Sequence, residues 1–189
     1  MTGPYREVLG RAFETLPTAV RVMHAGGELE ATGRADVVRG CSAAARLAAV
    51  LFRLPPEGAD QPLRVRFAPD GAGETCTRRF GAHVMRSRQR AGRGSRAGLL
   101  GETLGPLTVW SAPVVEGGRL RLELRRWRLF GLPLPRWLRP EVTAVEGEAG
   151  GRYVFDIAIA HRFTGPVVRY RGWLVPSEGA RTCNRRSMA

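Results

Sequence analysis

Residues His83–Gly98 read HVMRSRQRAGRGSRAG, five arginines in sixteen residues with no acid among them. As a flexible arm, the stretch grips phosphates and the protein binds nucleic acid. As a strand, it is one stave of a sheet whose outer face is basic. Alternation separates the two readings. His83, Met85, Ser87 and Gln89 share one face of an extended chain, and Val84, Arg86, Arg88 and Arg90 share the other. The arginines are grouped by geometry, and the aromatics on which bases would stack are missing. The stretch is therefore read as a strand followed by a loose glycine-serine turn over 92–98. The His83/Met85/Ser87/Gln89 face either lines a ligand pocket or lies under a helix or at a rim.

The same alternation extends in both directions. Leu29, Ala31, Gly33, Ala35 and Val37 oppose Glu30, Thr32, Arg34 and Asp36, with Gly33 marking a bulge. Leu63, Val65 and Phe67 oppose Arg64 and Arg66, and Thr75 to Phe80 follows a PDGAGE turn. Leu107 to Val115, Arg119 to Phe130, Glu141 to Gly147, Tyr153 to His161 and Val167 to Val175 complete the set. In RRWRLF, Arg126 and Arg128 fall on the face of Leu120, Leu122 and Leu124, which predicts a register break. Pro4 to Leu16 and Ser42 to Leu54 carry helical periodicity, stopped by Pro17 and by Pro55-Pro56.

The fold expected is α+β: mainly antiparallel β, about eight strands as a barrel or half-barrel, with two N-terminal helices. A helix-grip arrangement is the nearest competitor and needs a C-terminal helix that the sequence does not offer. One domain over 1–176 and an unstructured tail over 177–189 are expected.

Composition bounds the function. The net charge is +13, but all thirty basic residues are arginine, isoleucine occurs only at Ile157 and Ile159, and asparagine only at Asn184. Lys, Ile and Asn share AT-rich codons, so coding bias explains part of the excess and argues against a specific nucleic-acid role. The field remains and attracts anionic partners. Cys41, Cys76 and Cys183 show no metal or redox spacing, and MTGPYREVLG lacks a signal-peptide core. The longest apolar run near a helix, 47–52, is six residues, against ~20 for a membrane span. A cytoplasmic location, no membrane span and no cofactor are expected.

TRRFG (77–81), MRSR (85–88), GETLGPL (101–107), EGGRLRLELRRWRLFGLPLP (116–135) and VVRYRGWLVP (167–176) together resemble the bacterial family called domain of unknown function 4166. The resemblance runs from about Tyr5 to Pro176 and is most specific in RRWRLFGLPLP and YRGWL. A tryptophan usually stands in that family where this chain has Cys76. Its domains occur alone or joined to nicotinamide-dependent oxidoreductase-like or membrane segments, and the resemblance implies one compact domain and no mechanism.

Candidate site residues follow from facing. Asp156, in the apolar run YVFDIAIA, is read as salt-bridged on the outside or as an inward acid–base group with a raised pKa. Arg78 shares the Cys76/Phe80 face and needs a partner there, Asp156 or an anionic ligand group. Glu102 is a second carboxylate candidate. Tyr170 and Trp173 fall on opposite faces of the last strand, so one of them lines the interior. His24, His83 and His161 are scattered without a metal-binding spacing, and no GxSxG, P-loop or GxGxxG context occurs. The leading expectation is a barrel that binds a largely apolar or amphipathic small molecule, using Arg78, His83, Met85, Ser87, Gln89, Glu102 and Trp173. The alternatives are a cofactor-independent cyclase or isomerase of secondary metabolism acting through Asp156 and Tyr170, or an interaction partner of an oxidoreductase. A homodimer is compatible with each.

Overall fold

A computed structural model describes residues 2–177. The chain forms α1 (Pro4–Leu9), a 3-10 turn (Gly10–Thr15), α2 (Thr18–Met23), β1 (Leu29–Arg39), α3 (Ala43–Leu51), β2 (Gly58–Asp70), β3 (Gly73–Phe80) and β4 (His83–Ala91). It continues as β5 (Leu100–Leu104), β6 (Leu107–Glu116), β7 (Arg119–Leu129), β8 (Leu132–Pro133), β9 (Glu141–Ala149), β10 (Arg152–His161) and β11 (Gly165–Pro176). Strands β1 to β7 pair in chain order, β7 meets β9, β9 meets β10, and β11 pairs with both β10 and β1. The result is a closed antiparallel barrel of ten strands, with β8 outside on β7. Eleven strands exceed the expected eight or so: the nine segments that alternate in sequence all form strands, and β5, hidden in LGETL, and the short β8 were not foreseen. No C-terminal helix is needed, since β11 closes the barrel. The tail expected from 177 lies outside the described residues apart from Ser177, whose amide donates to Glu30 O.

The inner face follows the sequence alternation. Ala31, Ala35 and Val37 of β1, Leu63, Val65 and Phe67 of β2, and Cys76 and Phe80 of β3 are buried, as are Met85, Ser87 and Gln89 of β4. In β7 the partner of Ser111 is Leu124 and that of Trp110 is Arg126, so Arg125 is the extra residue of a bulge. This is the register break expected in RRWRLF. It turns Arg126 and Arg128 outward and brings Trp127 inward opposite Val109.

Gly33 is not a bulge: its pairing with β11 is regular, and the β1–β2 register shifts between Ala35 and Val37 instead. The glycine is needed because a Cβ there would lie 1.9 Å from Trp173 O, while one at Gly172 would lie 2.1 Å from Arg34 O. The 92–98 segment folds into a 3-10 turn closed by Gly92 N–H donating to Leu99 O. It places Arg96, with Arg90, over the Trp110 ring at 5.1 and 5.3 Å.

The two barrel ends differ. At the upper end, where the chain turns at 71–72, 117–118 and 150–151, α1, the 3-10 turn and α2 insert as a plug. The helix expected from Pro4 to Leu16 breaks at Gly10, whose φ is +54°. Helices of six residues are not stable alone. Docking supplies the stability through Tyr5, Phe13, Leu16, Val20 and Met23, all buried, each contributing about 1.5–3 kcal/mol for an apolar side chain. At the lower end, Ser42 caps α3 by accepting from Ala45 N–H at 3.1 Å and donates to Thr164 O at 2.8 Å. The chain after α3 reaches the β3–β4 hairpin, where the His83 ring meets Arg53 O at 2.9 Å. Thus α3 covers the lower end on the β11–β4 side.

Candidate functional site

Burial along the strands is uneven. On the side covered by α3, inward residues stay buried to the lower end: Val168, Val37, Leu63, Phe80 and Met85. On the β5–β10 side it fades. Leu100 and Leu120 are buried near the top, but Leu104, Val109, Leu122, Trp127, Ile157 and Ile159 below them are only half-buried. The lower half of the barrel on this side, the lower chamber, therefore presents inward-facing apolar side chains to solvent.

The wall beside that chamber is open. Strands β7 and β9 pair only at Leu120–Glu146 and Arg121–Val145, then separate. Leu122–Leu129 of β7 and Glu141–Ala144 of β9 are left unpaired with each other, and the four residues of β9 span ~13 Å at a strand's rise. A closed barrel gains by pairing every edge, so an interrupted ladder is a feature to explain. A cleft of about 620 Å³ fills the seam, bounded by inward-facing Leu122, Leu124, Val142 and Ala144 and edged by Arg121, Arg125, Arg139 and Arg162 together with Glu123 and Glu141. That volume falls in the range of roughly 300–1,000 Å³ usual for ligand sites. Arg139 reaches into the seam and donates to Leu124 O at 3.2 Å.

Above the chamber sits a charged cluster. Arg78 donates to Ser87 Oγ at 2.9 Å and to Glu102 Oε1 at 3.2 Å, while Ser87 donates to the same Oε1 at 2.6 Å and Gln89 at 3.3 Å. All four residues project inward from β3, β4 and β5. Glu102 Oε1 collects every donor, so Oε2 is left over. The Arg78 and Glu102 side chains are 18% and 26% exposed, which keeps them open to small polar partners. Burial by itself would raise the Glu102 carboxyl, but the Arg78 charge and the hydrogen bonds from Ser87, Gln89 and Arg78 outweigh it and hold the group below the ordinary glutamate range. Arg78 thus finds the inward partner it requires, and that partner is Glu102, not Asp156.

A second cluster lies deeper, under the plug. His24 Nε2 and Glu146 Oε2 are 2.6 Å apart, with side chains only 3% and 6% exposed. The Tyr5 ring stacks on His24 at 3.8 Å, and Phe67 and Tyr153 meet it edge-on. Among the described residues, five side-chain polar atoms are buried without a hydrogen-bond partner: His24 Nδ1, Glu74 Oε1 and Gln89 Oε1 in these clusters, and Arg21 Nε and Trp127 Nε1 elsewhere. Burial raises the Glu74 carboxyl, only partly countered by His24 and Arg78. The interior therefore holds two matched pairs, Arg78–Glu102 and His24–Glu146, and one odd acid. The void between the clusters is about 40 Å³, room for little more than water. Burial pushes the Tyr170 hydroxyl up to about 12 and those of Tyr5 and Tyr153 well above the usual range, so all three stay protonated.

The remaining sequence candidates are placed as follows. Tyr170 faces inward against Phe80 and Phe155, and Met85 is core. Trp173 faces outward under Arg152, whose guanidinium is 4.5 Å from the ring centre. His83 is at the lower rim. Asp156 is outside, gripped by Arg169 at 2.9 and 2.5 Å, and the hydrogen bond from Arg169 holds its carboxyl below the usual aspartate range. His24, Glu74 and Glu146 were not singled out from the sequence as a cluster. Helical spacing of Val20, Met23 and His24 and strand alternation of Val142, Ala144 and Glu146 carried the signal. No group of three or more His, Cys, Asp or Glu among the described residues is placed to hold a metal ion.

These features define a ten-stranded β-barrel, plugged at one end and partly open at the other. Residues 16–174 match the model of the family described as Domain of unknown function (DUF4166), and the chain belongs to that family. The matched span includes His24, Arg78, Glu102 and Glu146. No curated protein and no solved structure matches the chain.

Proposed function

We propose that the barrel is a binding domain for an amphipathic small molecule. Its apolar body occupies the lower chamber, and its anionic or carbonyl end meets Arg78, Ser87 and Gln89. The observation that carries this reading is the interrupted β7–β9 ladder, which leaves inward-facing Leu122, Leu124, Val142 and Ala144 lining an open cleft. Sealing that seam needs only continued pairing of strands already adjacent. The plug is a poor route of admission, because exposing its five large apolar residues costs about 7–15 kcal/mol. The test is titration with 1-anilinonaphthalene-8-sulfonate, an apolar anion whose emission rises on desolvation. Saturable binding, weakened at least tenfold both by Leu124→Trp in the seam and by Arg78→Gln at the head, is expected. Absence of saturable binding, or binding indifferent to Leu124→Trp, rejects the proposal.

A second reading, an acid–base enzyme, is favoured by the His24–Glu146 pair with its unpartnered Nδ1 and by the protonation-prone Glu74 beside it. On this reading Asp156 has no role in the interior. Turnover of a chamber ligand, lost in Glu74→Gln with ligand affinity retained, distinguishes the enzyme from the binding domain.

A further inference from the structure

The lower end of the barrel carries a second feature that ligand binding does not require. Among the described residues, the eight most exposed large apolar side chains, from 47% to 72% exposed, all lie there, and the next, Val22 on α2, is at the other end with 39%. They come from separate segments: Val38 from β1, Leu47, Val50 and Leu51 from α3, Phe130 and Leu132 from the β7–β8 turn, Trp137 from the connector, and Phe163 from the β10–β11 hairpin. Pairing brings these segments together. The start of β9 pairs with the end of β10, Leu107 pairs with Leu129, and Ser42 bonds Thr164 beside Phe163. The Trp137 and Phe163 rings meet edge-to-face at 6.4 Å.

Arginines frame this apolar end. Among the described residues, Arg46, Arg53, Arg128, Arg139 and Arg162 at this end have no carboxylate within 4.0 Å; wall arginines are mixed, with Arg34, Arg66, Arg88 and Arg169 ion-paired and Arg79, Arg86, Arg126 and Arg152 not. Apolar tips ringed by unpaired cations complement one kind of surface, an apolar layer beneath an anionic one. A second copy of the chain fits poorly, because a twofold contact sets arginine against arginine. Nucleic acid also fits poorly. Leu47, Val50 and Leu132 offer no stacking face, and the edge-to-face Trp137–Phe163 pair turns its rings toward each other.

We infer that the lower end docks on an anionic lipid bilayer, with Leu47, Val50, Phe130, Leu132, Trp137 and Phe163 inserted at headgroup depth and the arginines against the lipid phosphates. An interfacial tryptophan flanked by apolar tips and arginines is the arrangement of peripheral anchors, which reach ~5–10 Å into the boundary. Each arginine near such a surface contributes about a fivefold gain in partition, and salt weakens it. The β7–β9 seam opens beside Trp137, Arg139 and Arg162, so a docked barrel turns its proposed access route toward the bilayer. The docking itself does not depend on the chamber being occupied.

The test is co-sedimentation of the full chain with phosphatidylglycerol–phosphatidylcholine vesicles and with pure phosphatidylcholine vesicles. Partition onto the anionic vesicles is expected, with at least tenfold loss on Leu132→Ser/Phe163→Ser and no loss on Val22→Ser at the opposite end. Tryptophan emission is expected to shift to the blue and to be quenched by brominated acyl chains, both effects lost in Trp137→Phe. The inference is overturned by no partition, by adsorption unchanged in Leu132→Ser/Phe163→Ser, by preference for RNA or DNA over vesicles, or by a dimer that shields Trp137 without lipid. Retained 1-anilinonaphthalene-8-sulfonate binding in a chain that ignores vesicles separates failure of docking from failure of the chamber reading.

Discussion

Replacing His24 by phenylalanine keeps a flat ring on Tyr5 but leaves Glu146 buried without its partner. The side chains of His24 and Glu146 are 3% and 6% exposed and their atoms 2.6 Å apart, so bulk solvent does not take over the lost bond. Breaking one side of such a pair costs about 3–5 kcal/mol, a large share of a domain stability of roughly 5–15 kcal/mol. With a urea m-value near 2 kcal/mol/M, the midpoint should fall by about 1.5–2.5 M. Glu146→Leu alone should cost a similar amount by stranding the imidazole. The double variant His24→Phe/Glu146→Leu replaces the pair by apolar groups and should recover most of the loss, a coupling of about 3 kcal/mol. Urea unfolding followed by tryptophan fluorescence, with m unchanged as the check on two-state behaviour, measures all four corners of the cycle. If either single change costs under about 1 kcal/mol, or if the double variant is as unstable as the two losses summed, the buried-pair reasoning is wrong.

Other expectations are equally direct. Burial raises Glu74 above its unfolded value, so the folded state holds that proton longer. Stability should therefore fall as pH rises through the window between the ordinary glutamate value and the raised one, by at most about 1.4 kcal/mol per pH unit, and Glu74→Gln should flatten that limb in pH-dependent urea midpoints. Gly33→Ala and Gly172→Ala drive a Cβ to 1.9 and 2.1 Å from strand carbonyls; thermal melts should show each destabilised by at least about 1–3 kcal/mol, with no rescue by a smaller neighbour because the obstacle is backbone. Burial pushes the Cys76 thiol up to about 12, so peptide mapping after iodoacetamide should find exposed Cys41 labelled in the folded protein and Cys76 labelled only after unfolding.

Much of the barrel was legible because a β-strand repeats every two residues. HVMRSRQRA separated into a basic outer face and the inner face of Met85, Ser87 and Gln89, and RRWRLF announced its bulge by putting arginines where leucines had been. LGETL gave no such signal. Five residues with glycine second and glutamate in the middle do not alternate by hydropathy, so β5 was missed as a strand although Glu102 was noted. Arg78 announced that it needed a partner but could not name Glu102, because their contact depends on strand order across β3, β4 and β5. Asp156 was readable only in part. The apolar run around it left an inward acid and an outward salt bridge both open, and the structure gives the outward pair with Arg169, on a strand whose inner residues are Phe155 and Ile157. The open seam was invisible, since nothing in the local pattern of β7 or β9 records that the two strands meet at only two positions.

The claim that matters most is that the lower chamber holds a ligand with its polar end under Arg78. The most direct measurement is a crystal structure of the protein soaked with a bromine-tipped alkyl carboxylate, located by bromine anomalous scattering. The carboxylate is expected within hydrogen-bond distance of Arg78 and the bromine among Leu104, Leu122 and Ile157. Bromine found only on the outside of the barrel, or an unoccupied chamber at saturating probe, would contradict it.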